Sequence, residues 1–384
     1  MRKLYKLDKD RELVYSSKIS EFLDPDFIYL PIREGFKVLY KEGEDVLKAS
    51  VVLENNLNKV LSPVSGRVVG IDKKVIKGNT ENCLVIENDF KEQERTIKTR
   101  KEITFNKDDI ISRLYEYYFK YIASVLETKK INNLIINSIE DEPYMANNEY
   151  ILQEYSTEIL DMMDILIKSF GIPRASLVIK STDAKNIEKY ISKLGSYPEI
   201  SLIYSEDKYL LGKPFFLLEY LNLSDVDTLV IDVKTLYDMY NAVKYQRNAL
   251  ETFVTIAGQS VEKCEVVKVK IGTRFSEIIK NKIKLKKGSN TYILGGVMTG
   301  FEASTTDAIV TSDTPGMIII PKEEQKSYPC NRCGLCYKVC PVRVNPKKVM
   351  DTKKMSANCI DCGLCTYICP CHINLRKFLR GEHE

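Results

Sequence analysis

The sequence predicts an α/β protein of several domains with a cysteine-rich tail, and three observations support this fold class. Short strand-like runs punctuated by turn residues fill residues 24–90, strand and helix periodicities alternate over residues 91–245, and two matching cysteine runs lie near the end of the chain. With 384 residues and 44% hydrophobic composition, the chain is long enough to build two or three domains with sizeable cores.

Residues 1–23 are predicted to form an N-terminal segment, and residues 24–90 a small β-domain. Its strand-like runs read FIYLPI, KVLYKEGEDVLKASVVLE, NKVLSPVSGRVVGI and NCLVIEND. The pair KEGEDVLKA and SPVSGRV resembles the barrel-sandwich hybrid fold of lipoyl and biotinyl carriers. Those carriers present a modified lysine at a fixed distance before the turn proline, but here the position before Pro63 is Asn55, and Lys59 is out of register. We therefore predict a barrel-sandwich hybrid domain without a swinging arm.

Residues 91–245 are predicted to form a Rossmann-like α/β domain. KDDIISRLYEYYFKYIASVLE and NEYILQEYSTEILDMMDILIKSF each have the apolar spacing of one amphipathic helix, and the second ends at Gly171, shortly before Pro173. NNLIINSI, ASLVIKS and DTLVIDV have the apolar runs of buried strands. This alternation favours a parallel sheet with helices on both faces.

Residues 246–285 are predicted to form a β-grasp insert of the SLBB type. The stretch ETFVTIAGQSVEKCEVVKVKIGTRFSEIIK reads as strand, turn, strand, turn and helix. A return segment over residues 286–320 contains TYILGGVMTGFEA, an apolar strand with a glycine turn, and leads into the tail of residues 321–384.

The tail contains CNRCGLCYKVCP at 330–341 and CIDCGLCTYICP at 359–370, each with the spacing C-x2-C-x2-C-x3-C-P. This spacing is typical of bacterial proteins with two [4Fe–4S] clusters, in which the fourth cysteine of each run binds the cluster of the other run. We therefore predict a helical ferredoxin-like domain with two clusters. The first set of ligands is Cys330, Cys333, Cys336 and Cys369, and the second set is Cys359, Cys362, Cys365 and Cys340.

Zinc and disulfide bonds are the alternatives for these cysteines. Zinc also binds C-x2-C pairs, but two pairs supply four ligands and leave the remaining cysteines unused, and the metal-ligand spacing argues against disulfides. Cys83, Cys264 and Cys371 fall outside the repeat and are predicted to be small apolar residues. Because Cys371 closely follows Cys369, it is an alternative ligand for the first set.

Positive charge is concentrated in the tail. Residues 322–384 contain 12 Lys and Arg against 6 Asp and Glu, whereas the rest of the chain contains 45 against 47. A nucleic-acid surface is one interpretation of such a patch. Two clusters with their thiolates are anionic, and nearby cations ease the burial of that charge. We favour the second explanation and expect no nucleic-acid partner.

The sequence also limits the location and chemistry of the protein. It has no run of about 18 uncharged apolar residues, and its first residues lack the apolar region of a secretory signal. We therefore expect a cytoplasmic protein that reaches a membrane only through partners. The two histidines, His372 and His383, both lie in the tail, which excludes a His-dependent triad or a multi-His metal site in the body.

The order of barrel, α/β domain, β-grasp unit and dicluster tail resembles RnfC, the peripheral subunit of the Rnf ion-translocating ferredoxin:NAD oxidoreductase. The motifs that carry the resemblance are LSPVSGRV at 61–68, LIINSIEDEPYM at 134–145, VTIAGQSV with VKIGT, and LGGVMTG at 294–300. The α/β and β-grasp parts are also similar to the flavoprotein subunit of complex I and to NqrA. The resemblance implies a subunit of a membrane-associated oxidoreductase complex rather than a self-sufficient enzyme.

The resemblance also implies an FMN and NADH site over a glycine-rich loop, but that loop is altered here. The interval ISRLYEYYFKYIASVLETKK contains no glycine, and its bulky aromatic residues obstruct the backbone N–H groups that a phosphate needs. The acidic pair of the next motif is retained as Glu140 and Glu142, although the family's cysteine between them is Asp141; in LGGVMTG, the family's proline is Val297 and its second methionine is Thr299. We do not expect bound FMN, and we interpret Glu140 and Glu142 as a vestigial flavin or nucleotide site.

Three functions are compatible with these features. The first is electron transfer through two clusters in an Rnf-type complex, the second is a soluble relative that feeds a dedicated reductase, and the third is a scaffold with structural clusters. Other subunits of the complex are the expected partners, with ferredoxin or flavodoxin as further candidates. An exposed basic group in the tail either steers an acidic partner or forms a solvated helix face, and it consists of Arg343, Lys347, Lys348, Lys353 and Lys354.

Overall fold

The computed structural model describes residues 4–7, 13–95, 104–182, 192–303, 305–322 and 326–381. Within these ranges the chain forms eleven helices and four sheets, which have six, four, four and three strands. None of the helices in the described ranges has both the length and the apolar character that crossing a membrane requires.

Residues 27–88 form two small antiparallel sheets around one apolar core. The four-stranded sheet has the order β2-β8-β7-β4, and the three-stranded sheet has the order β3-β5-β6. The core contains Ile28 and Ile86 from the larger sheet and Val52 from the smaller one, all fully buried. The strands are β2 (Phe27–Pro31), β3 (Lys37–Val38), β4 (Asp45–Val46), β5 (Val51–Glu54), β6 (Lys59–Leu61), β7 (Gly66–Ile76) and β8 (Asn79–Asn88).

A second four-stranded sheet is entirely parallel and has the order β11-β10-β9-β12, in agreement with the predicted alternation of strands and helices. Ile136 and Leu177 pack into one apolar cluster, whereas their neighbours Ile135 and Val178 pack into another. Both faces of the sheet are therefore covered. The elements are β9 (Asn133–Asn137), β10 (Arg174–Lys180), β11 (Ile200–Ser205), β12 (Thr228–Asp232), α5 (Pro214–Leu221) and α6 (Val233–Tyr245).

The two long helices predicted from periodicity are each broken, so both predictions of one continuous helix are wrong. The first stretch forms α1 (Lys107–Glu116) and α2 (Lys120–Thr128), with Tyr118 between them at φ 70°. The second forms α3 (Asn147–Glu154) and α4 (Ser156–Phe170), which meet at Tyr155. Tertiary contacts decide both breaks, because the hydroxyl of Tyr117 donates to a distant carbonyl and Tyr155 packs against the ring of Tyr237 at 4.4 Å.

A six-stranded mixed sheet unites three parts of the chain that the sequence separates. Its order is β1-β14-β13-β17-β15-β16, so the N-terminal strand and the return segment both join the predicted β-grasp unit. Helix α7 (Phe275–Lys282) contributes Phe275 and Ile278 to the core of this sheet. The strands are β1 (Ser20–Phe22), β13 (Glu251–Ala257), β14 (Glu265–Lys270), β15 (Asn290–Leu294), β16 (Phe301–Ala303) and β17 (Gly316–Pro321).

Residues 326–381 form two halves with the same local backbone. The first cysteine run places Arg332 and Gly334 at positive φ, and the second places Asp361 and Gly363 at positive φ at the same register. A tight loop therefore surrounds the middle cysteine of each run. The helices are α8 (Leu335–Val339), α9 (Pro346–Thr352), α10 (Leu364–Tyr367) and α11 (Leu375–Leu379).

The turn between β7 and β8 reaches the first residue of β16. A Cβ atom on Gly78 would lie 2.6 Å from Cδ1 of Phe301, and the neighbouring Lys77 pairs with Asp313. The first β-domain and the six-stranded sheet therefore meet beside the tail.

Candidate metal centre

The first set of cysteines lines one cavity of about 370 Å³. Cys330, Cys333 and Cys336 come from the first run, and Cys369 comes from the second. Cys371 also lines this cavity, which leaves it an alternative to Cys369 as a ligand.

The second set lines a narrower cavity of about 20 Å³ with apolar neighbours. Cys359, Cys362 and Cys365 share it with Cys340, the fourth cysteine of the first run. The backbone N–H of Val344 donates to Sγ of Cys340 at 3.2 Å, and that of Asp361 donates to Sγ of Cys359 at 3.4 Å. The structure therefore groups the cysteines across the two runs, and the ligand assignment itself stays a prediction.

The buried sulfurs require a cation to become thiolates. Burial raises the pKa of Cys362 to about 11 and that of Cys365 to about 12, and it also raises the pKa of Cys336 and of Cys359. A thiol with such a pKa is neutral at pH 7, whereas a metal ligand must be deprotonated. Among the described residues, no three Cys, His, Asp or Glu side chains converge as a single ion requires. The residues present, which are four sulfurs around each cavity with N–H donors to two of them, fit a cluster.

The two sets differ in exposure. Cys333 of the first set is exposed, and the exposed rings of Tyr328 and Tyr337 lie close to it in sequence. Cys365 of the second set is buried. The first set therefore faces the outside, and the second set faces the body of the protein.

The second set is held against the glycine-rich loop of residues 295–300. A Cβ atom on Gly363 would lie 2.2 Å from the carbonyl oxygen of Met298, so only glycine permits this approach. The hydroxyl of Tyr209, a residue that is 4% exposed, donates to the carbonyl oxygen of Cys362 at 2.6 Å. These contacts fix the second run on the body of the protein.

Two arginines complete this attachment. Nε of Arg376 donates to Asp361 at 2.6 Å, and its Nη1 donates to the carbonyl of Gly300 at 2.8 Å. Nη2 of Arg380 donates to Asp361 at 2.9 Å, and its guanidinium lies 4.1 Å from the ring centroid of Phe301. The arginines thus neutralise the carboxylate of the second run and tie it to the loop.

Glu142 holds the same loop from the other side. Its carboxylate accepts from the backbone N–H groups of Met298 and Thr299, both at 2.9 Å, and from the hydroxyl of Thr299. Glu142, Glu140 and Asp141 also line a cavity of about 440 Å³. Glu140 accepts from the N–H of Asn148 at 3.1 Å, and burial raises its pKa to about 6. Both oxygens of Glu142 are therefore already used by the protein.

The segment that replaces the glycine-rich flavin loop is filled by side chains. Tyr117 is 4% exposed, and its hydroxyl donates to the carbonyl of Gln246 at 2.9 Å. Phe119 packs against the core, and Tyr118 takes a positive φ at the centre of the turn. This backbone offers no open cradle of N–H groups between α1 and α2, so the residues present do not fit an FMN phosphate.

Sequence reasoning identified the cysteines and the two glutamates but missed the residues that connect them. These residues are Tyr209, Asp361, Arg376 and Arg380. One signal was available, because Asp361 stands where the first run has Arg332. That difference breaks the repeat at the position where only the second run meets the body.

This fold and site define a class, which is iron–sulfur proteins with a dicluster domain attached to a flavoprotein-like α/β body. A family model described as "4Fe-4S dicluster domain" matches residues 322–370. A family model described as "Nuo51 FMN-binding domain" matches residues 117–234. The chain therefore has a dicluster domain and a mixed α/β domain of the Nuo51 type.

Within this class the chain is RnfC-like, which confirms the resemblance drawn from its motifs. It is 27% identical over 231 residues to the C-type subunit of the ion-translocating oxidoreductase complex of Rhodobacter capsulatus, covering 56% of this chain and 44% of that protein. It is 24% identical over 356 residues to the C-type subunit of the proton-translocating ferredoxin:NAD(+) oxidoreductase complex of Clostridium ljungdahlii, covering 84% of this chain and 77% of that protein. The aligned part thus spans less than half the length of the first of these relatives.

A solved structure shows a similar fold. The crystal structure of an NAD+-reducing [NiFe]-hydrogenase in the H2-reduced state matches with a TM-score of 0.50 and 12% identity. The match covers 72% of this chain and 60% of the hydrogenase chain. At this identity the likeness concerns the fold alone.

Proposed function

We propose that the chain is the RnfC-type electron-transfer subunit of a membrane-associated, ion-translocating oxidoreductase complex. The observation that carries the proposal is the dicluster tail, whose inner cysteine set is fixed against the loop of residues 295–300 and whose outer set reaches the surface. Two [4Fe–4S] clusters bound there supply one-electron redox chemistry. The named relatives are subunits of ion-translocating complexes, which supports the same role.

The surrounding residues give each cysteine set a distinct task. Arg376 and Arg380 place two positive charges beside the second run and so favour additional negative charge there. Tyr209 and Gly363 keep that run at a fixed distance from the α/β body. Around the first set, the exposed Cys333 lets a partner approach closely. Electrons thus pass between the body side and the surface side of the tail.

We further propose the finer domain assignment. Residues 24–90 form a barrel-sandwich hybrid domain, residues 91–245 a Rossmann-like domain, and residues 246–285 a β-grasp unit of the SLBB type that is extended by the return segment 286–320. The two antiparallel sheets with one shared core and the parallel sheet with both faces covered support this division. Residues 321–384 form the ferredoxin-like domain.

The same geometry supports a chain without its own FMN. The turn between α1 and α2 is packed with Tyr117 and Phe119, and the carboxylate of Glu142 is engaged by the chain's own loop. A flavin would have to displace these contacts before it could bind. Electrons then enter from another subunit or from a small electron carrier such as ferredoxin or flavodoxin.

Reconstitution is expected to yield about eight irons per chain, because two sets of four cysteines each hold one [4Fe–4S] cluster. Replacing the buried Cys83 or Cys264 by alanine should leave the iron content unchanged, since both residues lie in apolar cores away from the tail. Iron and sulfide analysis of the anaerobically reconstituted protein checks both statements. A content near four irons, or iron loss in either alanine variant, would contradict the assignment.

Exposed cations beside the first set are expected to steer an acidic electron carrier. Arg332 and Lys338 are exposed on the first run, and such charges raise association rates at low salt. Changing both to glutamine should lower the rate of electron exchange with reduced ferredoxin severalfold at low salt and hardly at all at high salt. Lys73→Gln, an exposed change on the first β-domain, is the control. Stopped-flow rates that do not depend on salt in the unmodified protein would exclude steering.

The subcellular location is also part of the proposal. We propose a cytoplasmic protein that binds the cytoplasmic side of the membrane through the other subunits of its complex. Cell fractionation tests this, because the chain should sediment with membranes only when its partner subunits are present.

A further inference from the structure

Asp141 holds a buried oxygen without a hydrogen-bond partner. Its Oδ1 accepts from the backbone N–H of Gly212 at 2.8 Å, whereas its Oδ2 is enclosed and has no donor. No other buried side-chain nitrogen or oxygen among the described residues lacks a partner in this way. An ionised oxygen enclosed without a donor loses its hydration with no compensation, while a protonated carboxyl loses much less.

The surroundings of Asp141 also oppose a second negative charge. Glu140 and Glu142 flank it in the chain and are themselves buried, and burial raises the pKa of Asp141 to about 6. Lys180 and Lys213 act in the opposite direction. Other charged or titratable groups around this cavity are Tyr209, Asp361 and the paired Lys77 and Asp313.

A short buried connection joins Asp141 to the second cysteine set. Gly212, which donates to Asp141, closes the segment that begins at Tyr209. The hydroxyl of Tyr209 donates to the carbonyl of Cys362, and its ring feels the charge of both Asp141 and Cys362. A change of charge at the second set therefore acts on Asp141 through a region that excludes water.

We propose that Asp141 is a proton-binding site that is coupled to the redox state of the second cysteine set. When a low-potential one-electron carrier reduces the cluster there from the 2+ to the 1+ state, the carboxylate of Asp141 takes up one proton from solvent and becomes a neutral acid. Oxidation releases the electron and the proton together. This inference rests on the proposed electron-transfer function.

The direction of the effect follows from the charges. An added electron disfavours a nearby anion, so reduction raises the pKa of Asp141 further. Above pH 6 the oxidised protein has an ionised Asp141 and the reduced protein has a protonated one, so the midpoint potential of the second cluster falls as pH rises. With one proton per electron, each tenfold change in proton activity shifts that potential by about 59 mV.

Redox titrations between pH 5 and pH 9 test the coupling. In the unmodified protein, one of the two cluster potentials should fall with pH above 6, and in Asp141→Asn this slope should disappear while both clusters remain. Asp313→Asn is the matched control, since it makes the same chemical change on the same cavity at a carboxylate that is about half exposed and paired with Lys77. Two potentials without pH dependence in the unmodified protein would overturn the proposal, as would a slope that persists in Asp141→Asn.

Infrared difference spectra supply a second readout. Reduction should produce a protonated-carboxyl C=O band that is lost in Asp141→Asn and retained in Asp313→Asn. If the Asn variant fails to fold, the band in the unmodified protein still decides the matter, because its absence on reduction contradicts proton uptake. Failure to assemble or reduce clusters at any pH would contradict the proposed function itself, whereas intact and reducible clusters with no such band would contradict this inference alone.

Discussion

Gly363→Ala is expected to detach the second cysteine run from the body of the protein. The new Cβ would lie 2.2 Å from the carbonyl oxygen of Met298, at a backbone φ of 77°. The positive φ alone costs about 1–2 kcal/mol for a residue with a side chain, and the collision forces the two loops apart in addition. We expect loss of iron from the second set and cleavage of the tail by protease at a rate more than about tenfold higher.

Gly334→Ala is the matched control for this change. Gly334 occupies the same position in the first run at φ 74°, but nothing lies within 4 Å of a Cβ placed there. This variant carries the backbone strain without the collision, so it should retain its iron and its resistance to protease. Equal damage in both variants would show that strain, and not contact with residues 295–300, explains the need for glycine.

Cys340→Ser is expected to damage the second cluster rather than that of its own run. Cys340 lines the cavity formed by Cys359, Cys362 and Cys365, and the N–H of Val344 donates to its sulfur. We expect about half of the iron to be lost, with the magnetic resonance signal of the remaining cluster intact. Loss of the cluster held by the three other cysteines of the first run would contradict the crossed arrangement.

Cys369→Ser should have the opposite selectivity, because Cys369 lines the cavity of the first set. Cys371 lines the same cavity, so Cys371→Ser must be measured beside it. The crossed assignment expects iron loss only in Cys369→Ser. Iron loss only in Cys371→Ser would identify Cys371 as the fourth ligand.

The sequence predicted those parts of the molecule that local pattern determines. The cysteine spacing is a short-range property, and the apolar runs around Ile136 and Leu177 are long enough to indicate a parallel sheet. The breaks at Tyr118 and Tyr155 were missed because apolar spacing continues through them. Contacts with Gln246 and Tyr237, which are distant in sequence, decide those breaks.

The attachment of the tail was not predictable for a similar reason. Tyr209 meets Cys362 across 153 positions, and Arg376 meets Gly300 across 76. No local motif marks such pairs, since each becomes meaningful only when the sheet and the tail are placed together. The glycine of each cysteine run was visible in the sequence, but only the structure distinguishes Gly363, which touches the body, from Gly334, which does not.

The central claim is that this chain relays electrons through two clusters and receives them from another protein, without a flavin of its own. The most direct test is to purify the native protein anaerobically, release its cofactors by denaturation, and follow cluster bleaching with NADH and with a low-potential donor. We predict two electrons taken up per chain from the low-potential donor, no flavin released, and no bleaching by NADH. Stoichiometric FMN together with bleaching of the clusters by NADH would contradict the account.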